Sequence, residues 1–343
     1  MVKTYLQTSG IPFTEQEVFE GYFDQHGYLT MYYPSLTNIN RLLSVSRKIQ
    51  KSHKESGRVR ISEIVAKTKI EHEVVENVVL LDFQRFLATT LLSAFPKGDA
   101  RVLDIAGGPT IYQHIAVSLV AKHITHSEFS ARARFEVLQW LHDAADSYDW
   151  DSYIELMRRL LRTDPEYGNL LQRFILDKRK SISSHSRFIR RMLRASSVSG
   201  LKKHIRDVID DDVVYGDVFH PDILTQEEAR SDIKIRKHAM DIVTAHFSVE
   251  SATDSREKWE DGMRHIMAFV KKGGFLVLTA IRNAEWYYIH TKKLPAVKIT
   301  EHDLRRLCEE ERFNIVEMRV LEDSNQEKCG YDGMILLLAQ KNS

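Results

Sequence analysis

An α/β fold, a doubly wound parallel sheet preceded by an N-terminal helical cap over residues 1–95, is the class this sequence predicts, on three observations. First, from about residue 14 to residue 95 apolar residues recur at helical spacing, as in Ile61, Ile64 and Val65 or Val74, Val75, Val78 and Val79, with few strand signals. Second, after Pro96-Lys-Gly-Asp99 short apolar runs alternate with amphipathic stretches, which implies βαβ units across residues 96–343. Third, the run Arg101-Val-Leu-Asp-Ile105 ends in Asp104 and Ile105 and breaks into a glycine turn before a helix. A doubly wound sheet receives nucleotide-like ligands there, because glycines let backbone approach the ligand and a helix N-terminus lines the crevice.

In the cap, residues 62–79 have the cadence of a helix-turn-helix, a motif that can read DNA. Its second helix, residues 71–79, is acidic and would be repelled by phosphate, so packing as cap or as a contact between two copies in a homodimer is the expectation. Strands are predicted over residues 101–105, 124–129, 213–218, 241–245, 275–280, 314–321 and 334–339, seven in all. An insertion over about residues 155–207 separates the second from the third. Residues 158–206 carry 14 Lys/Arg against three acids, with Leu160, Leu161, Leu170 and Leu171 at helical spacing. That reads as amphipathic helices with a solvated basic face; the sharper reading is a rim that attracts an anionic substrate, a carrier protein or RNA.

The 343 residues suffice for one large or two modest domains. A net charge of +1 exerts no global pull toward nucleic acid or an acidic membrane. Cys308 and Cys329 are the only cysteines, too few for a disulfide framework, and no zinc-ligand spacing exists, so no metal is expected. No apolar run approaches membrane-spanning length and no signal-peptide core follows Met1, so no membrane partner and a cytoplasmic location are expected.

The turn itself narrows the ligand. A dinucleotide fold would show G-x-G-x-x-G, whereas this chain has Ala106-Gly107-Gly108-Pro109. An acid on the first strand, a glycine turn and a second acid, Glu128, closing the next strand form the arrangement of S-adenosylmethionine (SAM) methyltransferases. A carboxylate at 128 can accept both ribose hydroxyls. A purely structural β–α corner remains the alternative for so short a pattern.

The longer string Asp104-Ile-Ala-Gly-Gly-Pro-Thr-Ile-Tyr-Gln113 resembles the nicotinamide, phenylethanolamine and thioether methyltransferase family, whose members carry D-x-G-S/T-G-P-T-x-Y-Q. Three further segments are similar in order: Tyr22 to Tyr33, Ser127-Glu-Phe-Ser130 with Tyr148-Asp-Trp150, and Gly273 to Val277 with Trp286-Tyr-Tyr288. The resemblance implies a Rossmann-like class I methyltransferase sheet of seven strands, SAM as cofactor with S-adenosylhomocysteine as product, and a small-molecule acceptor. It places the cofactor against Asp104, Ala106, Gly107, Gly108, Thr110 and Tyr112, then Glu128, Phe129 and Ser130, with Asp217 and Val218 on the adenine, His246 as a wall, and Tyr28 and Tyr33 closing over the methionine end.

On the acceptor side the resemblance implies Phe247, Tyr287, Tyr32 and Trp286 as aromatic lining, with Tyr287 and Glu250 carrying the catalytic role. Glu250 would orient a protonated acceptor and relay its proton. The chain departs from the family at Ala280 and Ala284, where relatives carry substrate-binding acids, and at Ala133, so neither known substrate is implied. N-methylation of an amine or nitrogen heterocycle is the expectation. S-methylation of a thioether or thiol is the alternative, its sulfonium product favoured by aromatic faces. Readings of another class are a nucleic-acid-binding protein or RNA methyltransferase using the basic insertion, and a degenerate fold that binds cofactor without turnover.

Overall fold

The computed structural model describes residues 25–176, 196–224, 235–289, 292–322 and 330–342. The start of the expected opening segment, the middle of the basic insertion and Cys329 lie outside the described residues.

Two helices, α1 (Gln25–Tyr32) and α2 (Ile39–Ser56), lead into strand β1 (Arg58–Arg60), followed by α3 (Ile61–Thr68) and α4 (His72–Ala94). The expected first strand is β2 (Ala100–Ile105), followed by α5 (His114–Ser118) and β3 (Ala121–Glu128). Helices α6 (Ala131–Leu141), α7 (Asp151–Thr163), α8 (Pro165–Leu176) and α9 (Val198–Ile209) then lead to β4 (Val213–Tyr215). The remainder is β5 (Met240–His246), a 3-10 turn (Val249–Ser251), α10 (Arg256–Phe269), β6 (Val270–Arg282), a hairpin of β7 (Trp286–Ile289) and β8 (Lys292–Pro295), α11 (Glu301–Glu310), β9 (Phe313–Glu322) and β10 (Gly333–Lys341).

All seven expected strands are present in one sheet of order β1-β9-β10-β6-β5-β2-β3-β4, and β10 runs antiparallel to both neighbours. The sheet has eight strands, not seven. β1 adds to its edge parallel to β9, with Arg58 opposite Val320 and Arg60 opposite Glu322. Only Val59 of its three residues is buried, and arginine–glutamate pairs from Arg58 and Arg60 to Glu322 fix the other two, a stretch too short for alternation to be readable. β4 stops at Tyr215, short of the expected 218, because the Asp217 amide donates instead to Ile223 O in a loop.

Helix α4 decides how the N-terminal region is used. The stretch with the cadence of a second helix of a helix-turn-helix continues to Ala94 and buries Val75, Val78, Val79, Leu80, Leu81, Phe83, Leu87 and Leu91. Asp82 at its middle accepts from Ser46 Oγ at 2.8 Å, Gln50 Nε2 at 2.7 Å and Arg319 Nη1 at 3.1 Å, joining α2, α4 and β9. A fully buried carboxylate is tolerable only with such partners.

Apolar residues of α2, α4, α5, α7 and α9 cover one sheet face, and α10 and α11 cover the other. No helix among the described residues is long and apolar enough to cross a membrane. The chain leaves β2 toward β3 and β4 on one side and returns to β5 on the other, and that reversal opens a crevice at the strands' carboxyl ends.

Candidate active site

A cavity of about 460 Å³ occupies this crevice. Its floor is the turn after β2. Ala106 takes a left-handed φ of 52° and Gly108 one of 63°, and the Gly107 amide donates to Ser127 O at 3.1 Å. A Cβ on Gly107 would lie 2.2 Å from Asp104 Oδ2 and 2.3 Å from His126 Cε1, so only glycine lets the backbone lie this close to the strands beneath. Thr110 Oγ1 and Gln113 Nε2 both donate to Gly107 O, each over 3.0 Å, which holds the turn rigid.

Glu128, at the end of β3, accepts the Gly108 amide at 2.9 Å on one oxygen and the Ser130 amide at 2.7 Å on the other. Each carboxylate oxygen accepts more than one donor, so the group can still receive hydroxyls from the cavity it lines. Asp217 accepts the Phe219 amide at 2.9 Å and lines the cavity beside Val218. Gly216 is there because a Cβ would meet Ser127 Oγ at 1.9 Å. His246 closes the wall from β5, with Nδ1 against Thr279 Oγ1 at 2.9 Å and a buried Nε2 that has no hydrogen-bond partner among the described residues. Ser248 Oγ is likewise buried and without a hydrogen-bond partner among the described residues. A glycine-floored crevice, largely apolar but with a few convergent hydrogen-bonding groups, fits a nucleoside carrying an amino-acid tail.

Aromatic rings cover this floor. Tyr33 lies 5.2 Å from Tyr112 and 5.5 Å from Trp150 between ring centroids, and Tyr28 packs 4.9 Å from Tyr32. Tyr32 Oη donates to Tyr288 O at 2.9 Å, and Asn77 Nδ2 donates to Tyr32 O at 2.8 Å, so α1 is tied both to the β7–β8 hairpin and to α4. Burial pushes the Tyr28, Tyr33 and Tyr112 phenols up, which keeps them neutral donors.

Of the residues expected to contact cofactor, Tyr28, Tyr33, Ala106, Gly107, Gly108, Thr110, Tyr112, Glu128, Phe129, Ser130, Asp217, Val218 and His246 line the cavity. Asp104 does not. It is fully buried one layer below, bonded by Thr244 Oγ1 at 2.5 Å and by His126 Nδ1 at 3.1 Å. Burial opposes its charge, but His114, His126 and His246 hold its carboxyl below the usual range.

On the acceptor side, Tyr32, Phe247 and Tyr287 line the cavity, whereas Trp286 and Glu250 do not. Neighbouring strand residues point to opposite faces. Tyr287 turns inward and donates to Ser251 O at 2.9 Å, while Trp286 packs 4.9 Å from Tyr288 with Lys293 Nζ 4.1 Å from its ring centre. Glu250 sits in the 3-10 turn whose Ser248 and Ser251 face the cavity; its own side chain turns into the body of the fold, where Oε1 accepts the Ile281 amide at 2.9 Å. Burial raises its pKa to about 7. Ala280 and Ala284 are buried away from the cavity, and exposed Glu285 pairs with Lys298.

Residues that the sequence did not single out complete this end: Glu76 and Asn77 from α4, Lys258 from α10, and Tyr331 and Met334 from the last strand and its approach. Tyr331 Oη donates to Glu76 Oε1 at 3.3 Å, and His72 Nε2 lies 3.4 Å from the same oxygen. Glu76 is therefore the carboxylate at the tyrosine-lined end. Its only sequence signal is an acid one turn from a histidine.

A profile of the NNMT/PNMT/TEMT family matches residues 67–170 and 169–342. The chain is 22% identical to phenylethanolamine N-methyltransferase of Sus scrofa over 260 residues, 75% of this chain and 78% of that protein. It is 22% identical to indolethylamine N-methyltransferase of Oryctolagus cuniculus over 222 residues, 65% of this chain and 69% of that protein. Nicotinamide N-methyltransferase of Homo sapiens is 21% identical over 248 residues, 72% of this chain and 78% of that protein.

Proposed function

The chain belongs to the NNMT/PNMT/TEMT family of SAM-dependent methyltransferases, and from that premise we propose that it methylates a nitrogen of a small amine or nitrogen heterocycle held at the Glu76 end of the cavity. The observation that carries this reading is the continuity of one cavity from the glycine turn at 106–108 to an end lined by Tyr32, Tyr287, Tyr331 and Glu76.

When bound, SAM supplies a sulfonium methyl already activated for in-line displacement, so the protein's task is to position, desolvate and deprotonate the acceptor. The Gly107 and Gly108 backbone and Glu128 would hold the ribose, and Asp217 with the Val218 amide would hold the adenine. Tyr28, Tyr33 and Tyr112 would exclude water from the methionine end. At the far end Tyr287, Tyr331 and Phe247 offer ring faces, and Glu76 offers an acceptor for an N–H. A protonated amine would be held by charge and ring faces together, then give its proton to Glu76, with His72 beside it as the way out. This assigns to Glu76 the role that the family resemblance gave to Glu250.

The test is methyl transfer from labelled SAM to a panel of small amines, nitrogen heterocycles and thioethers. The reading expects turnover on a nitrogen acceptor that falls in Glu76→Gln. Turnover confined to thioethers, with Glu76→Gln unchanged, would replace it by S-methylation, which needs no proton acceptor.

A further inference from the structure

Beneath the glycine turn, outside the cavity, three side chains from three elements converge: Asp104 from β2, His114 from α5 and His126 from β3, each fully buried. Asp104 Oδ2 lies 3.1 Å from His126 Nδ1 and 3.5 Å from His114 Nε2, and the two histidine nitrogens are 3.1 Å apart. Three donors bound at about 2.0–2.1 Å around a tetrahedral dication lie about 3.3–3.4 Å from one another. The observed edges of 3.1, 3.1 and 3.5 Å bracket that size.

His126 Nε2 faces Gly108 O at 3.1 Å, and a carbonyl only accepts, so Nε2 carries a hydrogen and Nδ1 is the ring atom turned to the triangle. A cation seated just off the plane of the triangle is within reach of all three atoms at once.

We propose that Asp104, His114 and His126 form a structural site for a divalent d-block cation of the zinc type that pins the glycine turn from below. Two imidazoles and a carboxylate are the donor set such ions take. Further hydrogen bonds orient two of the three ligands: Thr244 Oγ1 donates to Asp104 Oδ1 at 2.5 Å, Gln113 Nε2 to Asp104 Oδ2 at 3.3 Å, and His126 Nε2 to Gly108 O, while His114 is held by burial alone, its Nδ1 having no partner among the described residues. The ion would join β2, α5 and β3 where Gly107 packs on Asp104 and His126, and so stiffen the cavity floor. The three positions are ten and twelve residues apart, a spacing no sequence motif flags, which is why no metal was expected from the sequence.

The experiment uses the untagged full-length chain: metal analysis after expression in zinc-supplemented medium, then chelation and titration with Zn2+ or Co2+ followed by melting temperature and by the visible d–d absorption of Co2+. The proposal predicts about one zinc per chain, a melting temperature that drops on chelation and returns with zinc, and a Co2+ spectrum of low coordination. His114→Ala should abolish both responses, and His123→Ala, whose ring pairs with Asp212 instead, should keep them. Thr244→Val should weaken zinc about 10–100-fold. A wild-type chain that takes up no zinc and shows no Co2+ spectrum overturns the proposal, as does a His114→Ala chain that binds zinc like the wild type. Should His114→Ala fail to fold, the wild-type stoichiometry and the Thr244→Val affinity decide.

Discussion

Glu250 Oε1 accepts the backbone amide of Ile281 over 2.9 Å, and that bond holds in place a buried carboxylate that does not line the cavity. Its burial raises the folded-state pKa to about 7 from an ordinary 4.5. A group whose pKa is raised by folding adds stability below its unfolded pKa and loses it as pH rises through the folded value. At about 1.4 kcal/mol per pKa unit the loss between pH 4.5 and 7 is about 3 kcal/mol. Melting temperatures from pH 5 to 8 should therefore fall more steeply in the wild type than in Glu250→Gln, and turnover should change little. Equal slopes together with a collapse of turnover would return Glu250 to catalysis.

Glu76→Gln should act on the other side of that division. Losing a charge-assisted bond to the acceptor costs about 1.5–3 kcal/mol, about 10–100-fold in kcat/KM. The affinity for S-adenosylhomocysteine should stay within about twofold, because the cofactor end does not touch Glu76 in this account. Parallel losses in both quantities would make Glu76 structural.

The contrast between these glutamates shows what the sequence could say. The glycine turn, Glu128, Asp217 and the tyrosines at 28, 33 and 112 were legible because each sits at a strand end or in a contiguous motif whose local geometry fixes where it faces. Trp286 and Glu250, expected at the acceptor, do not line the cavity: in a strand or a tight turn a single step turns the side chain, and resemblance alone does not set that step. Glu76 and Tyr331 were not legible. They meet only because α4 passes over the sheet beside the approach to β10, 255 residues apart in the chain. β1, three residues long, gave no periodicity to read.

The glycine turn makes a steric prediction. Gly107→Ala places a methyl about 2.2 Å from Asp104 Oδ2, and should destabilise by about 1–3 kcal/mol and abolish the thermal shift produced by SAM. Ala106→Gly should be neutral or stabilising by up to about 1 kcal/mol, because Ala106 holds a left-handed φ of 52°. Thermal unfolding with and without SAM reads both. A tolerated Gly107→Ala would mean the turn is not packed against Asp104 and His126 as described.

Asp82 predicts how the N-terminal helices are held. Asp82→Ala leaves Arg319, 7% exposed at its side chain, without this buried partner and should cost about 3–5 kcal/mol. Chemical denaturation would measure it. A loss below about 1 kcal/mol would show that apolar packing alone joins α4 to the sheet.

The central claim, that the crevice above Gly107 and Gly108 holds the cofactor with Glu128 on its ribose, is tested most directly by calorimetric titration of S-adenosylhomocysteine into the wild type and Glu128→Ala. The account predicts one site per chain in the wild type and binding at least about tenfold weaker in the variant, the worth of one charge-assisted hydrogen bond. Equal affinity in the two proteins, or no binding to the wild type, would contradict it.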